Sequence, residues 1–158
     1  MKLGEIVSAA RVVVRMKAET KWEAIEELIG VMRAAGDVPA AALDGALEAV
    51  LARERQISTG MEHGVAVPHG AIEGIDRIVG ALGTAPRGIP FDSIDGEPAR
   101  IVVLLLIPAS GFHLHLSALA GVARLFNREA FRAEILVSAD SAAAHAAIER
   151  VEAGEEGA

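Results

Sequence analysis

The spacing of apolar positions along the chain switches between helical and continuous, and the switches outline its elements. Val12-Val13-Val14, fenced by Arg11 and Arg15, reads as a short first strand. Thr20 and Glu23 then make a capping box. Ile25, Leu28, Ile29 and Met32 follow on one helical face, and Gly36 supplies a stop. Pro39 suits the first turn of a second helix with Leu43, Leu47, Val50 and Leu51 on its apolar face. That helix runs into Arg53-Glu54-Arg55.

The middle of the chain changes character. Val65-Ala66-Val67 is a short apolar run closed by Pro68, and it predicts a strand that delivers His69 to a loop at its end. Ile78 to Leu82 is a further apolar run, bounded by Gly83, and Asp95-Gly96 signals a turn. Ile101 to Ile107 shows no alternation, as expected of a central strand covered on both faces. Periodicity alone would also fit a helix there; the short length and Pro108 favour a strand. Leu116, Leu119, Val122, Leu125 and Phe126 return to helical spacing. Two more helices follow, over about 128–137 and 141–151, with Ser138 or Asp140 as the cap of the last. The expectation is one domain over 1–158, frayed from 153 to 158. Its fold class is a three-layer α/β/α domain with a central sheet of mixed parallel and antiparallel strands.

Composition narrows the function. With 158 residues the chain is long enough to bury a real core. One Trp, four Phe and no Tyr leave no stacking platform for single-stranded nucleic acid. A formal charge of −7 argues further against a nucleic-acid partner. The absence of cysteine removes thiolate nucleophiles, disulfides and cysteine-ligated metals. No signal-like apolar region opens the sequence and no run is long enough for a bilayer span, so a cytoplasmic protein without membrane insertion is expected.

Chemistry concentrates on histidine. Of His63, His69, His113, His115 and His145, four form two short clusters near predicted strand ends, where open α/β sheets build sites. Three readings compete. A metal centre would use His63, His69 and one of His113 and His115, but the acidic ligand expected after a His-x-His pair is missing. A hydrolase would use Ser58 or Thr59, but there is no Gly-x-Ser-x-Gly elbow; a phosphate-binding Gly-x-x-x-x-Gly-Lys loop is likewise absent. In the third reading His69 is itself the nucleophile toward phosphorus. Arg53, the backbone at Gly60 and Gly64 and a second histidine then meet the phosphoryl charge, with neither metal nor cofactor.

Several segments together resemble the enzyme IIA domain of the fructose/mannitol class of the bacterial phosphoenolpyruvate-dependent phosphotransferase system, including its nitrogen-regulatory branch. Arg53-Glu54-Arg55 with Ser58-Thr59-Gly60 is similar to the family's Arg-Glu…Ser-Thr-Gly segment. Gly64-Val65-Ala66-Val67-Pro68-His69 resembles its Gly-φ-Ala-φ-Pro-His signature (φ apolar), which ends in the phosphorylated histidine. Phe91 to Gly96 and Leu104 to Pro108 match the following hairpin and central strand, and His115-Leu116 to Val122 matches the helix headed by the second active-site histidine. His113 is out of that register. One departure is His63, where the family often carries Asn.

The resemblance implies a phosphoryl relay. A small histidine-phosphorylated carrier protein (HPr-like) would donate to Nε2 of His69, with His115 and Arg53 meeting the phosphoryl oxygens. Ser58, Thr59, Gly60, His63 and Gly64 would support the site. The acceptor would be a cysteine-bearing IIB domain of a sugar transporter, or regulatory protein targets. The lack of a fused IIB domain leans toward the nitrogen-regulatory branch. The alternative is a non-catalytic module whose partner binding follows the state of His69.

Overall fold

The computed structural model describes residues 2–157. Its centre is β5 (Ala99–Pro108), which pairs antiparallel with β4 (Val79–Ile89) on one side. On its other side β5 pairs in parallel with β2 (Val65–Ala66) and then β3 (His69–Ile72). β1 (Val12–Val13) adds a parallel partner to β4 and completes the mixed sheet. Alternate side chains of β5 split the core. Ile101, Val103, Leu105 and Ile107 join one buried cluster, and Val102, Leu104 and Leu106 join another. An unbroken apolar strand therefore has a helical layer on each face, as its lack of alternation led us to expect.

On one face lie α2 (Lys21–Ala35) and α3 (Ala40–Gln56). Thr20 and Glu23 form the reciprocal capping box, and Gly36 ends α2 at φ 74°. On the other face lie α1 (Leu3–Ile6), α4 (Phe112–Phe126), α5 (Glu129–Leu136) and α6 (Ser141–Gly157). Asp140 caps α6 by accepting from the Ala143 N–H at 2.8 Å. The helix continues past Ala153, where the sequence suggests fraying. Its Glu152 carboxylate accepts from the N–H groups of Leu3 and Gly4, at 2.7 and 2.8 Å, and ties that turn to α1. Ala158 lies outside the described residues.

Two strands differ from expectation. β4 does not end at Gly83 but runs on to Ile89, with a register irregularity between Thr84 and Ile89. Gly83 is there because Met16 crosses directly over it; a Cβ at that position would sit 2.2 Å from the Met16 sulfur. Likewise, β2 and β3 are one strand line interrupted at Val67-Pro68, and they pair with successive parts of β5. Proline has no N–H for the ladder, but its carbonyl still accepts from Leu105 at 3.0 Å. His69 therefore opens a strand instead of sitting in a loop beyond one.

Candidate functional site

The register of β3 fixes the direction of His69. It pairs with Leu105, whose side chain belongs to the α4 face of the sheet. The imidazole points the same way and is only 4% exposed. Next to it, Gly70 permits α3 to lie against the strand, since a Cβ there would be 3.1 Å from the Val50 nitrogen. The end of α3, which carries Arg53, is thereby held beside β3.

His69 Nδ1 lies 2.8 Å from the Val67 carbonyl oxygen. A carbonyl only accepts, so Nδ1 carries the proton and the lone pair is left on Nε2. Burial, first of all, holds the imidazole pKa below its ordinary value. The Val67 carbonyl opposes that shift, the Arg53 and His115 side chains add to it, and Glu54 works against it. The His115 ring stands edge-on to His69, with centroids 4.8 Å apart and planes at 83°. His115 projects from the first turns of α4, after Gly111 at the cap. Arg53 Nη1 donates to the Ile57 carbonyl at 2.9 Å, which orients the guanidinium. The structure thus brings together His69, His115 and Arg53, while His113 is exposed.

Ser58, Thr59 and Gly60 form the backing of the site. The segment folds antiparallel onto β2, with Gly60 bridging Ala66, Met61 N–H donating to Val65 and Val67 N–H donating to Thr59. Ser58 Oγ donates to the Phe91 carbonyl and accepts from the Gly60 N–H. The main residue that sequence reasoning passed over is Glu54, which is 2% exposed. One of its carboxylate oxygens accepts from Thr59 Oγ1 at 2.6 Å, the other from the Thr59 N–H at 3.1 Å. Lys21 Nζ, 3.5 Å away, supplies the counter-charge. A continuous chain of hydrogen bonds therefore links Glu54 to Thr59, Thr59 to Val67, and Val67 to the His69 ring. The signal was present in the sequence: Glu54 continues the spacing Leu43, Leu47, Val50 into the buried face of α3. Glu54→Ala should orphan the Thr59 donors and destabilise the fold by about 1–3 kcal/mol per group. Urea denaturation checks this, and an unchanged midpoint contradicts it.

His63 stands apart. It adopts φ 64° immediately before Gly64 at φ 73°, its N–H donates to Asp95 Oδ2 at 3.1 Å, and its exposed ring lies 3.8 Å from Glu62. None of these contacts reaches His69. The left-handed backbone is a conformation that Asn and His both tolerate better than most residues, so His63 and Gly64 shape the turn into β2. Among the described residues no three His, Asp or Glu side chains gather as a metal cage. The reading that joined His63 to His69 and His113 or His115 does not assemble. His145 packs elsewhere, against Gly4 and Glu149.

The arrangement can present a neutral, buried nucleophilic nitrogen beside a fixed cation and a second imidazole. Protonation at Nε2 removes the lone pair. Because the pKa is lowered, His69 stays competent as pH falls to its ordinary value of 6.5 and loses competence only further down. Histidine ¹⁵N chemical shifts followed against pH should place the midpoint for His69 below 6.5. A midpoint at or above that value contradicts the burial argument.

Comparisons with known proteins establish the family and the fold. The sequence profile described as "Phosphoenolpyruvate-dependent sugar phosphotransferase system, EIIA 2" matches residues 5–151. A nitrogen regulatory protein from Bradyrhizobium diazoefficiens is 30% identical over 148 residues, covering 94% of this chain and 95% of that one. A fructose-specific EIIA component from Haloferax volcanii is 34% identical over 117 residues, covering 74% and 75%. The crystal structure of the nitrogen regulatory protein IIA-Ntr from Neisseria meningitidis superposes with a TM-score of 0.79 at 27% identity, over 92% of this chain and 98% of that one. No helix among the described residues is long and apolar enough to cross a membrane.

Proposed function

We infer a phosphoryl relay centred on His69, from the premise that the chain belongs to the EIIA 2 family of the phosphoenolpyruvate-dependent sugar phosphotransferase system. Membership gives it a phosphocarrier or regulatory role in that system. The observation that carries the assignment to His69 is the Nδ1–H to Val67 hydrogen bond, which leaves Nε2 as the free lone pair of a buried ring.

In the transfer, the Nε2 lone pair attacks phosphorus in the phosphohistidine of a carrier protein. The N–P bond to the donor breaks, its electron pair returns to the donor imidazole, and a new N–P bond forms on His69. The Nδ1 proton stays with Val67 throughout. Arg53 and His115 oppose the charge spread over the equatorial oxygens. The same steps run in reverse toward the acceptor. A protein donor suits the surroundings, because Leu116, beside His115, and Ile57, whose carbonyl holds Arg53, are both large exposed apolar side chains. For the acceptor, the full-length likeness to a nitrogen regulatory protein favours regulatory protein targets, with a transporter IIB domain as the other candidate.

The test is direct. The chain is incubated with phosphoenolpyruvate and the general phosphotransfer proteins, then weighed intact. An acid-labile gain of about 80 Da is expected. A chain that stays unmodified yet still captures a partner protein belongs to the non-catalytic binding reading instead.

A further inference from the structure

A cleft of about 630 Å³ opens between the loop after β1 and the far half of β4, and none of its lining residues belongs to the His69 site. Its floor is apolar, formed by Met16, Ala85 and Ile89. Its rim carries three cations, Arg15, Lys17 and Arg87, against a single lining carboxylate, Glu19. All three cations are exposed, and among the described residues their side chains make no ion pair or hydrogen bond. On a chain of net charge −7, such a cluster facing one cavity is not explained by packing or solubility.

Backbone hydrogen bonds tie down the wall that carries Arg15 and Lys17. Arg15 N–H donates to Thr84 Oγ1 at 2.8 Å, and Met16 N–H to the Thr84 carbonyl at 2.7 Å. The N–H groups of Lys17 and Ala18 both donate to the Glu27 carboxylate. This network holds Arg15 at φ 59°, a left-handed conformation that costs a bulky side chain roughly 1–2 kcal/mol. A glycine would fit there without that cost. Strain kept at a long cationic side chain over a cleft is the kind of outlier that accompanies ligand binding.

We propose that this cleft binds a phosphorylated small molecule of nucleotide size, its ring body on the Met16–Ile89 floor and its phosphates between Arg15, Lys17 and Arg87. The volume lies within the usual small-molecule range of about 300–1,000 Å³. Guanidinium pairs suit phosphate oxygens by their forked geometry. The strand residues of the cleft run beside Ala99 to Ile101, whereas His69 pairs with Leu105. Those points are about 13–20 Å apart along β5. A ligand there would report on metabolite level without occupying the phosphoryl site.

The ¹⁵N-labelled chain is titrated with ADP at about physiological salt, with pyrophosphate as a second probe. Saturable amide shifts over residues 15–19 and 85–89 are expected with ADP, and weaker ones with pyrophosphate, which lacks the ring. Lys17→Glu and Arg87→Glu should each weaken ADP binding about tenfold or more. Arg15→Gly should weaken it comparably with no fall in melting temperature. All three variants should take up a phosphoryl group as the wild type does, so a failure of the relay is read separately from a failure of the cleft. The proposal is overturned by the absence of saturable shifts with ADP, by shifts confined to the surroundings of His69, or by an affinity that the variants leave unchanged.

Discussion

His69→Ala should take up no phosphoryl group, a loss of at least about 10⁴-fold against wild type, because the substitution removes the buried ring whose Nδ1–H bond to Val67 leaves Nε2 free. His115 is the neighbouring ring, with its centroid 4.8 Å away. Its ring is more exposed than the buried imidazole of His69. The variant should keep its fold. β3 stays paired with β5 through Gly70, Ala71 and Ile72, and the Thr59 to Val67 bond does not involve the ring. Time courses of phosphoryl uptake, read by intact mass, check this alongside circular dichroism of the variant. Uptake at the wild-type level in a folded His69→Ala chain would move the site elsewhere.

Arg53→Ala and His115→Ala should each slow transfer by about 10²–10³-fold, on the order of 3–4 kcal/mol, the scale of losing one donor to a developing oxyanion. The two variants differ in their dependence on pH. Both side chains push the His69 pKa down, and of the two Arg53 contributes more. Removing Arg53 therefore lets that pKa rise, so more of the ring is protonated in the acidic range. The sign follows: the Arg53→Ala deficit should widen as pH falls toward 6 and settle to its electrostatic part near pH 8. Single-turnover rates at several pH values separate the two parts. A deficit below threefold at every pH removes Arg53 from the account.

Much of this was legible in the sequence because it is local. The Thr20–Glu23 box, the Gly36 stop and the unalternating run at Ile101 to Ile107 each specify their structure within a few residues, and all three stand as read. Pro68-His69 and the helical register of His115 likewise marked the two rings that meet. What escaped was set by distant parts of the chain. Gly83 has the look of a terminator, yet it lies inside β4 because Met16, far off in sequence, needs the space. Pro68 suggests that His69 lies beyond a strand end, whereas β5 pairs with the chain on both sides of Pro68. Ser138 and Asp140 were equal as caps until Ala143 chose the aspartate.

His63 and Glu54 show the same limit at the site itself. A histidine beside a catalytic-looking motif invites a chemical role, but its positive φ and its Asp95 contact make it part of a turn. A glutamate within Arg-Glu-Arg looks solvated, but helical period and Lys21 on a separate helix bury it under Thr59. Buried polar networks of this kind join segments that sequence patterns treat one at a time.

The central claim concerns one nitrogen atom. With the chain labelled at histidine and phosphorylated by its carrier protein, ¹⁵N–¹H and ³¹P correlations identify which ring nitrogen bears phosphorus. The expected result is a single phosphohistidine, at Nε2 of His69, with the Nδ1 proton still bonded toward Val67. Phosphorus on Nδ1 of that ring, or on His115, would contradict the account.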